Sequence, residues 1–572
     1  MLLGVLVALL VAWGVAVALL LLQADHRLRA GIAAADRARA GLTLADLTDG
    51  GAGRSLQAAG ADFTAAHRGV SSPWVAPLRV LPYVGTQVRS VDALSQAAAT
   101  VAAAGDRTLQ SVRLLVAEPH HTPAERAGLL ARMARALEGL RSEVSDVGLG
   151  PAHGLLHRLA HERSVFASDL GKVRSVLDRV AGATGALHAM FDGHQSYLLL
   201  VANKAEMRAG SGMELEAGTI HLDQGAIAVT GLQDTGNLVD QFPGVRPTGD
   251  LAARWGFEYP QLDLRELLMS PQFPANAALA ARMWAAHTGH PVDGVLLVDV
   301  QALDDVLGVI GPVSADGVTL DAANADSYLL EGQYAGIADA QVEAARHERL
   351  GAIAGAVFRR LESPGIPLVA MARALGRAAD GRHLIAWSAE PRVEADWVAA
   401  GAGGEVRGNQ MLLALINQGA NKLDPYQQVS AVASTAASGR SSRVTVRVTV
   451  DNTTPPTLTG YAAGGSPGAP PAREYAGAIA LDFPADATDA SVIGAGPLEA
   501  LGPDGPAQVV AAEIAVPDGQ SRTVSFSFTL PGRHGTLTVD PSARVPPTQW
   551  TVQTGRASAE RFDDSMAHSF SW

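Results

Sequence analysis

The chain has 572 residues, no cysteine and a formal net charge of −13. This length exceeds what one hydrophobic core supports, so several domains are expected. The lack of cysteine excludes disulfides, thiolate catalysis and cysteine-ligated metals, and an acidic chain without a basic stripe argues against nucleic acid as a partner.

The chain begins with 22 residues that carry no charged side chain. An apolar run of this length suits a helix that crosses a bilayer, and no small-residue cleavage site follows it. We therefore predict an uncleaved transmembrane anchor at 1–24, a single-pass protein of the cell membrane and the membrane as a partner. The arginines after the run favour a cytoplasmic location for the body, that is, the part of the chain after the anchor. Long domains, however, are translocated across the membrane regardless of their charge. We predict an extracytoplasmic body.

The stretch 25–192 has the periodicity of helices. Apolar residues recur three and four positions apart in two stripes, around Leu137 and around Leu177. The segment Thr122-Pro123-Ala124-Glu125 supplies an N-cap, a first-turn proline and a capping-box glutamate. We predict a helical stalk or bundle over this stretch.

Strand-like and helix-like segments alternate over 193–420. The run Tyr197–Ala202 is apolar without alternation, which is typical of a strand covered on both faces. A tight turn at Asp223-Gln224-Gly225 predicts a hairpin, so the sheet should be mixed rather than all parallel. The stretch is predicted to be a central α/β mixed-sheet domain.

After Asn421 the pattern changes to strict alternation. The segment Arg443–Val450 places valines on one face and arginine or threonine on the other. The repeat of this pattern predicts a C-terminal antiparallel β-sandwich over 421–550. The last stretch, 551–572, is predicted to be a flexible tail. The expected fold is thus multidomain: a transmembrane helix, a helical stalk, an α/β domain and a β-sandwich.

Polar side chains and glycines follow the first strand, where open sheets place their ligands. Arg208 suits a bidentate phosphate contact, and Glu206 suits a divalent ion or a general base, so both are candidate catalytic residues. The alternative is an internal Glu–Arg salt bridge that caps the strand. The candidate ligand-binding residues of this segment are Asn203, Lys204, Gly210 and Gly212.

Three other places carry candidate chemistry. Asp299 at a strand end, with Asp304 and Asp305 after it, predicts a shared Mg²⁺, although acidic residues there also stabilise the helix dipole. Arg246 lies in a long connection, which suits a substrate-binding loop or a solvated surface. Lys422 and Asp424 are candidate ligand-binding residues if the last α/β strand neighbours the first. Otherwise they mark the hinge into the sandwich.

Several of these segments resemble the bacterial envelope family catalogued as domain of unknown function 4012. They are Val201–Gly212, Ser270–Pro274, Pro291–Asp299, Gly311–Val313 and Asn421–Asp424. More distantly, the arginine after the first strand and the Pro-Val-Asp…Gly-Pro-Val block resemble LytR-CpsA-Psr proteins, membrane-anchored enzymes that transfer lipid-pyrophosphate-linked glycopolymers onto the cell wall. That resemblance implies a LytR-CpsA-Psr-like α/β domain and a polyprenyl-linked glycan as ligand. The chain departs from it at Gln233-Asp234, where those enzymes carry an Arg-Asp pair.

Two functions follow from these observations. The first is a membrane-anchored cell-envelope protein that binds, and as an enzyme would transfer, a phosphorylated or pyrophosphate-linked glycan precursor. The second is a non-catalytic extracytoplasmic scaffold or interaction protein of the envelope. Convergence of the candidate residues in one concave pocket favours the first function, and a flat, salt-bridged surface favours the second.

Overall fold

The computed structural model of the chain describes residues 2–40, 51–117, 122–334, 340–363, 365–554 and 559–572. The chain divides into two compact units, Met1–His188 and Ala189–Trp572.

The described part of the first unit is helical. Its α-helices are α1 (Leu2–Ala40), α2 (Gly51–Val70), α3 (Val84–Ala117), α4 (Pro123–Ser145) and α5 (His157–Phe191). Helix α4 begins with the predicted capping box: the Thr122 hydroxyl accepts the Glu125 N–H at 3.2 Å, and the Glu125 carboxylate accepts the Thr122 N–H at 2.9 Å. These bonds satisfy two N–H groups that a helix start leaves free.

The predicted transmembrane anchor at 1–24 is wrong. Across the residues that the structure describes, no helix combines the length and the apolar character that crossing a bilayer requires. Some apolar side chains of α1 pack against another helix instead, since Val17 and Ala24 share a core with Ala66 and Val70 of α2. The membrane as a partner and the single-pass localisation with an extracytoplasmic body rested on this anchor and are corrected with it.

The second unit begins with a five-stranded mixed sheet, as predicted. The strands are β1 (His194–Met207), β2 (Gly212–Asp223), β3 (Ala226–Asp234), β4 (Gly294–Asp299), and β7 (Leu384–Ser388), while β5 (Val313–Ala315) and β6 (Val318–Leu320) form a separate ribbon. The sheet order is β3-β2-β1-β4-β7, with β1 and β4 parallel and the other pairs antiparallel. Strand β1 is covered on both faces, because consecutive side chains Leu198, Leu199 and Leu200 are at most 2% exposed.

Helices connect and cover this sheet. They are α6 (Gly249–Trp255), α7 (Phe273–Thr288), α8 (Val300–Ile310), α9 (Ala325–Leu330), α10 (Ala340–Glu362), α11 (Leu368–Asp380) and α12 (Pro391–Ala400). Helix α8 starts directly at the carboxyl end of β4, and a 3-10 segment at Leu264–Met269 precedes α7.

Two six-stranded sheets form the β-sandwich. Their strands are β8 (Gln410–Asn417), β9 (Gln427–Ser438), β10 (Ser441–Asn452), β11 (Tyr475–Pro484), β12 (Thr488–Ile493), β13 (Leu498–Asp504), β14 (Ala507–Val516), β15 (Ser521–Pro531), β16 (Thr536–Val539), β17 (Gln549–Thr554), β18 (Glu560–Asp563) and β19 (His568–Ser571). The sheet orders are β12-β15-β10-β9-β17-β18 and β13-β14-β11-β8-β16-β19. The valines of β10 face the core between them and are fully buried, as the alternation predicted.

The sandwich differs from the sequence prediction in three respects. Strand β8, which the sequence placed with the α/β domain, lies inside a sandwich sheet beside β11. The pairs β16 with β8 and β17 with β9 are parallel, so the sandwich is not wholly antiparallel. The stretch predicted to be a flexible tail contains β18 and β19, and Phe570 of β19 is 4% exposed in the core.

One hydrophobic core joins the sheet and the sandwich. It contains Leu198 of β1, Met283 of α7, and Leu412 of β8 together with Ala478 of β11. Each large apolar side chain buried in this way contributes about 1.5–3 kcal/mol. The core brings the end of β1 close to the β8–β9 connection, which carries Lys422 and Asp424.

Candidate functional site

The glycines after β1 allow close packing. A Cβ atom added to Gly212 would lie 2.3 Å from the carbonyl oxygen of Asn203, and one added to Gly210 would lie 3.0 Å from Leu268. Both residues are buried. The Arg208 N–H donates to the Ser211 carbonyl at 2.8 Å, which closes the turn between β1 and β2. These glycines therefore fit the chain against itself, and no open anion-binding turn forms here.

Arg208 is enclosed by protein acceptors. Its side chain is 2% exposed, Nε donates to the Arg265 carbonyl at 2.9 Å, and Nη1 donates to the Asn417 carbonyl at 2.6 Å. Nη2 pairs with Glu266 at 3.2 Å. The alternative, an internal salt bridge between Glu206 and Arg208, is therefore wrong, because the carboxylate that pairs with Arg208 is Glu266. A guanidinium with these partners is not presented to a phosphate.

Glu206 forms an ion pair with Lys422 instead. The two side chains are 7% and 5% exposed, and the Lys422 Nζ atom lies 5.5 Å from the ring centre of Tyr334 and 5.2 Å from that of Tyr461. Desolvation lowers the pKa of Lys422, but the Glu206 carboxylate and the two tyrosines more than offset it, so this pKa is raised overall. Two buried, oppositely charged groups from distant parts of the chain thus neutralise each other.

Lys204 and Asp299 form a second buried pair, with 2.8 Å between Nζ and Oδ2 and both side chains at 0% exposure. His383 Nδ1 lies 2.7 Å from Lys204 Nζ and 3.1 Å from Asp299 Oδ2. Desolvation lowers the pKa of Lys204, and Asp299 opposes that effect in part. Burial alone would raise the pKa of Asp299, but Lys204 and His383 hold it below its usual value.

The other oxygen of Asp299 caps helix α8. Asp299 Oδ1 accepts the N–H groups of Gln301 and Ala302 at 2.9 and 3.2 Å, while Ser211 donates to Oδ2 at 3.3 Å. Both oxygens are thus engaged by protein donors, so this carboxylate does not fit a magnesium ion. In the parts of the chain that the structure describes, no three His, Cys, Asp or Glu side chains are grouped to hold a metal. Asp299 is the N-cap of α8, whereas Asp304 and Asp305 lie beyond the first turn, so the helix-dipole alternative does not describe them.

A half-buried carboxyl pair adjoins the lysine. Gln301 bonds both Lys204 and Asp326, which lies at the start of α9. Burial, and next the neighbouring Asp326, raise the pKa of Asp304 to about 8. The proximity of the two carboxyl groups therefore favours a protonated carboxyl in this pair. Asp305 pairs separately with Arg377.

Asp424 is the centre of a third buried group. It is fully buried, and its Oδ2 accepts the Met207 N–H at 3.0 Å and the Asn417 amide at 2.8 Å. Its Oδ1 accepts the Tyr475 hydroxyl at 3.2 Å and lies 3.6 Å from Arg544. Burial raises the pKa of Asp424. These bonds join the end of β1 to strands β8 and β11 and make 421–426 more than a simple hinge.

The remaining predicted residues divide between the interior and the surface. Asn203 is 7% exposed, donates to the Leu329 carbonyl at 3.0 Å and accepts the Ala205 N–H at 2.8 Å. Arg246 is exposed in the segment before α6 and lies outside the buried group. Except for Arg246, the structure therefore brings the predicted residues together, and it buries them in the protein interior.

Sequence reasoning missed the partners of these residues. His383 immediately precedes β7, and the antiparallel pairing of β7 with β4 places it beside Asp299. The sequence indicates a strand at Leu384–Trp387, but neither its neighbour nor its direction. Tyr334, Tyr461 and Arg544 carry no local signal, because their roles depend on long-range packing.

A cleft of about 460 Å³ lies elsewhere, at one end of the sandwich. It is lined by Gln418, Glu499, Glu513, Arg522 and small residues of β11 and of the β12–β13 connection. None of the predicted site residues is among its lining residues.

One segment of the chain matches a family model. Residues 192–334 match the model of a family described as a protein of unknown function, DUF4012, which confirms that resemblance. Similarity to LytR-CpsA-Psr proteins is not shown. No curated protein matches the sequence. A crystal structure of a proposed nutrient-binding protein from Legionella pneumophila shares 10% identity at a TM-score of 0.16, covering 23% of this chain and half of that chain. A likeness this slight supports no argument about fold or function.

Proposed function

We propose that the protein is a non-catalytic scaffold or interaction protein. In this proposal the family-matched segment supplies buried polar groups that hold the α/β sheet against the β-sandwich. The observation that carries it is the Glu206–Lys422 pair, because each residue comes from a different sheet region and both are at most 7% exposed.

The chemistry of the other candidates supports this proposal. A phosphate-binding arginine needs donors directed at an open site, and Arg208 donates to three carbonyls and a carboxylate of the protein. A ligand would have to replace these bonds inside a closed core. Removing one partner of a buried charged pair costs about 3–5 kcal/mol, so such displacement is unfavourable.

The glycan-precursor function stays a prediction, and one experiment separates it from the scaffold. Binding of polyprenyl pyrophosphate to the full chain is measured by calorimetry with and without Mg²⁺. The scaffold proposal predicts no saturable heat in either condition for the wild type and for Arg246→Ala, the variant at the exposed candidate residue. Saturable, Mg²⁺-dependent binding by the wild type would overturn it. If Arg208→Ala, shown to be folded by circular dichroism, abolished that binding, Arg208 would regain its predicted role.

A further inference from the structure

The cleft at the end of the sandwich lies where the chain crosses from one sheet to the other. Strand β12 belongs to one sheet and β13 to the other, and the crossover Gly494-Ala495-Gly496 lines one wall. Ala476 and Gly477 of β11 line another wall. A Cβ atom on Gly477 would lie 1.9 Å from the Ile416 carbonyl oxygen, so glycine is required there. Small side chains leave the space of about 460 Å³ open.

The polar groups of the cleft are predominantly acidic. Glu499 and Glu513 line it, and the Gln418 amide donates to Glu499 at 3.5 Å and to Glu258, from the α6 side, at 2.6 Å. Arg522 is the cation among the lining residues, and its Nε faces the Ala515 carbonyl at 3.5 Å. Two carboxylates, Glu499 and Glu513, and one guanidinium therefore line the cleft, and the Glu258 carboxylate adjoins it through its bond to Gln418. This crowding leaves an unbalanced negative charge that a cationic group would neutralise.

The state of Glu499 is consistent with this imbalance. Burial, and next the nearby Glu258 carboxylate, raise its pKa to about 7. A positively charged group in the cleft would favour the ionised form of Glu499. Binding of such a group would in turn become tighter as the pH rises through 7.

Exposed apolar side chains flank the cleft. Ile493, the last residue of β12, is 70% exposed, and Leu498, the first residue of β13, is 56% exposed. Ile493 directly precedes the crossover that lines the wall, and Leu498 follows it after Pro497. Large apolar side chains beside a charged depression are typical of a protein interaction surface.

We propose that this cleft binds an arginine side chain of a protein partner. The guanidinium would contact Glu499 and Glu513, because the planar fork of arginine matches carboxylates better than an ammonium does. Apolar residues next to that arginine would cover Ile493 and Leu498. The proposal gives the scaffold a partner of stated chemistry, so it rests on the proposed function, but it uses none of the buried pairs described above.

The test uses the full chain and two fluorescein-labelled peptides. One is Gly-Leu-Arg-Leu-Gly amide, and the other carries citrulline, a neutral analogue of arginine, at the central position. We expect the arginine peptide to bind at least about tenfold more tightly by fluorescence anisotropy, which corresponds to the loss of one charge-assisted contact. Its affinity should rise about tenfold from pH 6 to pH 8, since a carboxyl group with a pKa near 7 goes from roughly 10% to 90% ionised.

Variants locate the binding. Glu499→Gln and Glu513→Gln should each weaken the arginine peptide about tenfold. The matched control is Glu560→Gln, which removes the same charge from an exposed pair with His568 outside the cleft lining and should leave affinity unchanged. Equal binding of both peptides, no binding of either, or unaltered affinity in Glu499→Gln would overturn the proposal. None of these outcomes bears on the polyprenyl pyrophosphate measurement, so the two proposals fail separately.

Discussion

The Glu206–Lys422 pair makes the sharpest energetic prediction. Glu206→Gln leaves the Lys422 ammonium buried without a carboxylate, and Lys422→Met leaves the Glu206 carboxylate buried without a cation. Uncompensated buried charges cost about 3–5 kcal/mol. For Glu206→Gln we expect the lower end, about 3 kcal/mol, because the rings of Tyr334 and Tyr461 still stabilise the ammonium by about 0.5–2 kcal/mol.

The double variant distinguishes a structural pair from two unrelated positions. With both charges removed, no buried charge stays unpaired, and replacing a buried ion pair by neutral groups is often close to neutral in stability. We therefore expect the double variant to lose less stability than either single variant, which corresponds to a coupling energy of about 3 kcal/mol or more. The assay is equilibrium urea unfolding followed by tryptophan fluorescence, with the unfolding free energy from linear extrapolation.

A surface pair in the sandwich provides the control. The side chains of Arg473 and Asp518 are 32% and 35% exposed at a separation of 2.7 Å. Exposed pairs contribute about 0–1 kcal/mol, so Arg473→Met and Asp518→Asn should have small and additive effects. The reasoning is refuted if the Glu206 and Lys422 variants behave like this control, with losses below about 1 kcal/mol and no coupling.

Three further outcomes are expected. Burial raises the pKa of Asp564 to about 6, so the protonated carboxyl group stabilises the folded state relative to the ionised one. This stabilisation is complete below the pKa of the unfolded state, near 4, and is lost as the pH rises through 6. From pH 5 to pH 7 the wild type should lose about 1 kcal/mol more unfolding free energy than Asp564→Asn, measured by urea unfolding, and equal losses would contradict the assignment. Gly212→Ala should lower thermal stability severely, because the added Cβ atom would lie 2.3 Å from the Asn203 carbonyl oxygen. At Gly139 an added Cβ atom has no neighbour within 4 Å, so Gly139→Ala should stabilise α4 by up to about 1 kcal/mol. Similar melting temperatures for the two variants would refute this prediction. Arg208→Lys should cost about 2–3 kcal/mol because one ammonium cannot reach all its acceptors, and Arg246→Lys should be neutral in the same urea assay.

Local signals in the sequence predicted local structure well. The capping residues Thr122 and Glu125, the hairpin at Asp223–Gly225 and the alternation of Arg443–Val450 each involve neighbouring residues, and the structure shows each of them. Such features depend on hydrogen bonds and side-chain directions within a few positions. They therefore do not depend on contacts with distant parts of the chain.

Features that depend on distant contacts could not be read in this way. The apolar character of β8 indicated a strand and placed it in the α/β domain, but it did not show which sheet would contain that strand. An apolar start to α1 suits a bilayer and also a helix that packs against α2, and the pattern alone does not separate the two. The residues around Arg208 indicated a phosphate ligand, because its acceptor Asn417 lies 209 residues away in the sequence and gives no local signal.

The three lysines of the chain allow the central claim to be tested directly, since the sequence contains only Lys172, Lys204 and Lys422. The full chain is treated briefly with acetic anhydride, and modification of each lysine is quantified by mass spectrometry. Lys172 is 63% exposed, whereas Lys204 and Lys422 are at most 5% exposed and paired with carboxylates. Lys204 and Lys422 should therefore react at least about a hundredfold more slowly than Lys172, because their modification requires local opening of the structure. Reactivity of Lys204 and Lys422 within about tenfold of Lys172, with protection appearing only when polyprenyl pyrophosphate is added, would contradict the account and restore a ligand site.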